Sequence, residues 1–177
     1  MGRIHGSLLA LFACIAIAAF TQTPGQQVAD RASDFLGVRE VGGNNRGPAV
    51  EAILAAADQK PGQPWCGAFS LVVHKAAGIY MPGNPARYAW SPTWFHSSKV
   101  VWRRGDLVES VVHVGDQIGL YYPKIKRIGH VGTIVAIEGR WLVTIEGNTN
   151  GMGSRDGSGV HKQRRRIDSI YVISRWW

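Results

Sequence analysis

The chain has 177 residues, of which 45% are hydrophobic and 18% charged, values that fit one ordinary globular domain and exclude disorder, collagen and coiled coil. Twenty Lys and Arg against twelve Asp and Glu give a net charge of +8, which favours nucleic acid, anionic lipid or acidic wall polymer without choosing among them. Cys14 and Cys66 are the only cysteines, too few for a disulfide framework or a multi-cysteine zinc site.

Residues 1–24 read as an export signal. Arg3 precedes an uncharged, mostly apolar run from Ser7 to Phe20, and Ala16-Ile17-Ala18 fits a small-x-small cleavage site. The run is shorter than the ~20 residues that span a bilayer, so cleavage near 18–24 and a periplasmic or extracellular mature protein are expected. Lipid attachment at Cys14 is the lesser alternative, since the apolar run continues past it. The mature part, residues 25–177, is then one domain in which Cys66 is the sole thiol.

Helical periodicity comes next. Val28, Ala32, Phe35 and Leu36 mark one amphipathic helix, and Val50, Ile53, Leu54 and Ala57 a second, with Pro48 suited to its first turn. A third helix follows Pro64, with Phe69, Val72, Val73 and Ala76 as its stripe and Gly78 as its stop. Ser91-Pro92 predicts an N-cap and a short helix to about Lys99. From Gln117 the period becomes two, predicting strands over 117–122, 131–138, 141–146 and 167–173, with a Gly/Ser-rich loop in the 150s. Helices first and strands second predict an α+β fold with an antiparallel sheet.

Chemistry concentrates at four places. Cys66 opens the third helix, where unpaired N–H groups favour a thiolate. His130 lies at a loop-to-strand junction between Gly129 and Gly132, glycines that leave room for a substrate beside an imidazole acting as base. Glu146 and Asn148, at the end of the following strand, are alternative partners for the second ring nitrogen; a carboxylate also stabilises imidazolium, which favours Glu146 with Asn148 auxiliary. His74, His96, His113 and His161 have no comparable setting, and Arg164-Arg165-Arg166 reads as a solvated face before it reads as a polymer contact. Of Trp65, Tyr88, Trp90 and Trp94, only Trp65, next to Cys66, is assigned to substrate binding.

The hairpin register decides whether these groups meet. A two-residue turn at Gly139-Arg140 would put His130 and Glu146 on opposite faces. A three-residue loop, or a bulge of equal effect, would put Gly132 opposite Glu146 and His130 on the same face, leaving Val131, Thr133, Val135, Ile137, Trp141, Val143 and Ile145 on a core face. The second arrangement is predicted.

At Trp65-Cys66, Gly129-His130-Val131-Gly132 and Glu146-Gly147-Asn148 the sequence resembles the CHAP family of cysteine amidases and peptidases, within the papain-like NlpC/P60 superfamily, over about residues 37–160. The resemblance implies a papain-like α+β fold, a catalytic set of Cys66, His130 and Glu146 or Asn148, and hydrolysis of an amide in peptidoglycan, without a cofactor or a nucleic-acid partner and as a monomer. Some members bind calcium just before the cysteine; here Asp58 is the one acid between 58 and 63, so no metal is expected. The alternatives are a non-catalytic basic wall-binding module and an acyltransferase using the same residues.

Overall fold

The computed structural model describes residues 22–106, 111–153 and 156–177; the signal-like run and Cys14 lie outside them. Among the described residues three α-helices come first, α1 (Pro24–Ser33), α2 (Pro48–Ala55) and α3 (Cys66–Ala76). Six strands follow, β1 (Val100–Arg103), β2 (Gln117–Tyr122), β3 (Arg127–Glu138), β4 (Trp141–Thr149), β5 (Gly159–Arg166) and β6 (Val172–Ser174). They form one antiparallel sheet in the order β1-β6-β2-β3-β4-β5. The fold is α+β. Among the described residues no helix is long and apolar enough to cross a membrane.

Local signals place the helices. Pro24 starts α1, Thr23 Oγ1 accepts from Gln26 N–H at 3.2 Å, and Gln22 Nε2 donates to Asp30 Oδ2 at 2.9 Å. The helix stops at Ser33, short of Phe35 and Leu36, and Leu36 is exposed. Pro48 opens α2 and the left-handed Gly78 follows α3, as the sequence predicts. Helix α3 is buried on more than one stripe: Ala68, Leu71 and His74 are enclosed along with Phe69 and Val73, while Ala76 is exposed. A helix apolar nearly all round belongs in a core. It packs between α1, α2 and the sheet face carrying Val131, Ile145, Val160 and Val172. On the other sheet face Ile118, Leu120, Ile134, Leu142 and Ile173 form a second cluster with Trp102, Ile167 and Ile170.

Several expectations need correction. The segment after Trp90 forms a 3₁₀ turn, Ser91–Phe95, instead of a helix to Lys99, and Ser91 makes no cap. The expected strand over 167–173 is a 3₁₀ turn, Ile167–Ser169, followed by the three residues of β6. Strands β1 and β5 were not predicted; β5 contains the arginine run, where alternate residues point to opposite faces and charge masks the period.

The hairpin takes the bulged form of the expected register. Glu138 pairs with Trp141 across the two-residue turn Gly139-Arg140, and the register then shifts between Ile134 and Ala136, so Val135 is extra on β3. Beyond the bulge Ile134 pairs with Thr144 and Thr133 with Ile145. Gly132 therefore faces Glu146, and a Cβ on Gly132 would lie 2.5 Å from Glu146 Cγ. The expected core face is covered over most of its length and opens toward the turn: Val131, Thr133, Val143 and Ile145 are buried, whereas Ile137 is exposed.

Candidate active site

Cys66 begins α3, whose first N–H groups receive no side-chain cap. Its Sγ lies 3.4 Å from Ser91 Oγ and takes a further backbone hydrogen bond from Val131. Gly67 allows the helix start to approach the 3₁₀ turn that follows α3, Pro85–Ala89, since a Cβ there would come 2.4 Å from the Tyr88 carbonyl oxygen.

His130 is fully buried and its Nε2 lies 2.8 Å from Glu146 Oε2. The carboxylate accepts there, so Nε2 carries the proton. Nδ1 is buried and makes no hydrogen bond of good geometry, leaving it available to the thiol beside it. The bulge near Gly129, where the β2–β3 register shifts between Leu120 and Tyr121, re-aims this end of β3. Glu146 is fully buried too; Thr144 Oγ1 donates to its Oε1 at 2.5 Å, and Arg165 Nε and Nη2 donate to Oε1 and Oε2, each at 2.6 Å.

These contacts decide the ionisation. Burial alone would push the Cys66 thiol up, but His130, Ser91 and the Val131 backbone outweigh it and hold the thiol down at about 7. Burial would likewise push the His130 imidazolium down, and the charges of Cys66 and Glu146 raise it to about 9. Glu146, which burial would push up, is held down at about 2 by Arg165 and His130. Between about pH 7 and 9 the site therefore carries a thiolate and an imidazolium together.

A cleft of about 520 Å³ opens over the thiol, with Asn44, Gln63, Trp90, Arg127 and Asp156 among its walls. Trp90 is 57% exposed and the Arg127 guanidinium lies 6.0 Å from its ring centre. Among the described residues no cluster of three His, Cys, Asp or Glu could hold a metal ion.

Cys66, His130 and Glu146 come together as the sequence predicts. Asn148 is placed elsewhere. It sits at a left-handed φ of 55° in a bulge of β4, and in the amide orientation that satisfies its neighbours it accepts from Trp65 N–H at 3.1 Å and donates to Asn45 Oδ1 and Gly157 O at 3.1 and 3.0 Å. It braces the approach to α3. Trp65 is not a wall of the cleft: it is 0% exposed, donates its indole N–H to Glu40 Oε1 at 2.9 Å and packs edge-on against Phe69. Trp90 holds the exposed position instead. Gly132 leaves room for Glu146, not for substrate. Sequence reasoning missed Ser91, expected to cap a helix, and Arg165, hidden in a run of like residues; only the alternation of β5 distinguishes Arg165 from its neighbours.

No protein-family model matches the chain, and no curated protein matches it.

Proposed function

We propose that the protein is a cysteine hydrolase that cleaves an amide bond of peptidoglycan, as a glycan-to-peptide amidase or a peptidase, after export. The observation that carries this reading is the buried hydrogen bond from His130 to Glu146 beside an activated thiol at an uncapped helix start. Cys66 thiolate attacks the carbonyl carbon, and the negative oxygen that forms is met by backbone N–H groups at the start of α3. The His130 imidazolium gives its Nδ1 proton to the leaving amine as the C–N bond breaks, leaving a thioester. Neutral His130 then takes a proton from water, whose oxygen attacks the thioester; the C–S bond breaks, the acid leaves, and the Cys66 thiolate and His130 imidazolium are restored. Glu146 keeps the ring oriented through both steps.

Peptidoglycan as substrate is supported by the resemblance at Cys66, His130 and Glu146, by the signal-like N-terminus, and by the amide-lined polar cleft with its exposed Trp90, which suits a hydrophilic peptide or a sugar face. The net charge of +8 favours an anionic wall.

Digestion of purified peptidoglycan, with new termini identified by mass spectrometry, tests the reading. Wild type is expected to release fragments fastest between about pH 7 and 9, the window bounded by the Cys66 and His130 ionisations. Cys66→Ala, with an unchanged melting temperature, is expected to release none. Equal turnover by folded Cys66→Ala overturns the proposal, and amide exchange with an added amine in place of hydrolysis redirects it to acyl transfer.

A further inference from the structure

Three consecutive arginines end β5, and they serve two different purposes. Arg164 and Arg166 project to the face that carries Trp141, where they lie over its ring and pair with Glu138 and Asp168. Arg165 projects to the other face. Its side chain is 15% exposed and its guanidinium grips both oxygens of the wholly buried Glu146, while Nη2 also donates to Gly153 O at 3.2 Å. Gly153 stands at φ +74°, and a Cβ there would come 2.9 Å from Nη2, so the loop is shaped to admit this group. A planar fork matched to a carboxylate fixes position as well as charge.

We propose that Arg165 is a positioning residue of the site, locking the Glu146 carboxylate against His130 and balancing its charge so that a buried thiolate and imidazolium form together near neutral pH. This role rests on the reading of Cys66, His130 and Glu146 as the reacting set. The charges show why it is needed. With Arg165, the sequence thiolate, imidazolium, carboxylate, guanidinium sums to zero; without it the ionised site is a net anion in surroundings that exclude water, which opposes loss of the thiol proton. Other groups near the array do not replace it. His161 stands opposite Glu146 on β5 but is pushed down, toward the neutral form, by burial and by Arg39. Tyr122 on β2 acts on Arg165 itself. At the cleft, Arg127 donates to the Ile128 carbonyl and lies over Trp90, and Asp156 brings a negative charge.

The test is the pH dependence of Cys66 alkylation by iodoacetamide in the full chain, read at the Cys66 peptide by mass spectrometry so that Cys14 does not interfere. No substrate is needed. Wild type is expected to show a midpoint near 7. Arg165→Met should move it up by about one unit or more, a slowing of about tenfold at pH 6. Arg165→Lys, which keeps the charge and loses the fork, should hold the midpoint within about half a unit while kcat for wall digestion falls. If Arg165→Met fails to fold, Arg165→Gln, which keeps donors but no charge, carries the same midpoint test. A folded Met or Gln variant with the wild-type midpoint, or a Lys variant shifted by a full unit, overturns the role. A wild-type midpoint at the ordinary thiol value of about 8.5 is a different failure, that of the proposed active site itself.

Discussion

His130 and His74 are both wholly buried, yet their surroundings drive them in opposite directions. His74, on the inner side of α3, donates Nδ1–H to the Ser70 carbonyl at 2.8 Å, leaves Nε2 without a partner, and rests its ring 4.9 Å from that of Trp94. Burial dominates there and pushes the imidazolium down to about 4, so the ring is neutral. At the sheet end, burial opposes His130 just as strongly in kind, but Cys66 and Glu146 lie against the ring and raise it to about 9. Desolvation is common to both histidines; only one of them has an anion. The comparison shows that a buried imidazole becomes a working acid and base through its partners, not through enclosure.

The sharpest way to break this contrast is to remove the anion. Glu146→Gln leaves a neutral acceptor for Nε2 and strands the Arg165 guanidinium, so His130 should become a neutral buried histidine like His74. Wall digestion is expected to fall on the order of a thousandfold. Asn148→Ala, which removes the brace behind Trp65 without touching the His130 to Glu146 bond, should lose distinctly less. Steady-state rates of the two variants side by side decide the assignment, and a larger loss in the Asn148 variant reverses it.

A gentler intervention moves the anion without removing it. Gly132→Ala drives a methyl to 2.5 Å from Glu146 Cγ, and the carboxylate must shift away from His130. A displacement of about 1 Å at such a contact costs on the order of a hundredfold in rate, with about 1–3 kcal/mol of stability lost to overpacking. Rates and thermal melts of the same preparation separate the two effects. A wild-type rate in this variant would show that the strand pairing does not position Glu146.

The smallest effect on activity is expected at the other histidine. His74 has a folded value of about 4, below its ordinary 6.5, so its contribution to stability is present above pH 6.5 and is lost as pH falls toward 4, by about 3 kcal/mol in all. His130 runs the other way: its value is raised, so its contribution is complete below pH 6.5 and disappears as pH rises through about 9. His74→Phe removes the acid-labile group and its unpaired nitrogen from an apolar core. It should hold activity within about twofold at pH 8 and move the acid unfolding midpoint, followed by tryptophan fluorescence, to lower pH. An unchanged acid midpoint would mean that His74 does not set the acid limit.

How much of this was legible depends on the range of the interaction involved. Pro48 and Gly78 mark the helix limits through backbone constraints that act over one or two residues, and they hold in the fold. The strands on either side of Gly139 were visible in their period of two. β5 was not, because Arg164, Arg165 and Arg166 look alike until a neighbour on one face proves to be Glu146 and on the other Trp141. Trp65 failed as a cleft residue for a similar reason. Adjacency to Cys66 along the chain says nothing of direction, and its ring turns inward to Glu40 and Phe69.

By itself the sequence determined the α+β order, the helix start at Cys66, and the need for Glu146 to share a face with His130, since alternation and capping are local and follow from residue type. The tertiary structure decided the rest. It placed the register correction in a bulge at Val135 instead of the turn, chose Glu146 over Asn148 as the partner of His130, turned Ser91 toward the thiol and drew Arg165 into the charge array. Each of these depends on which segments distant in sequence come to lie within hydrogen-bond reach, and on how burial then amplifies the contacts they make.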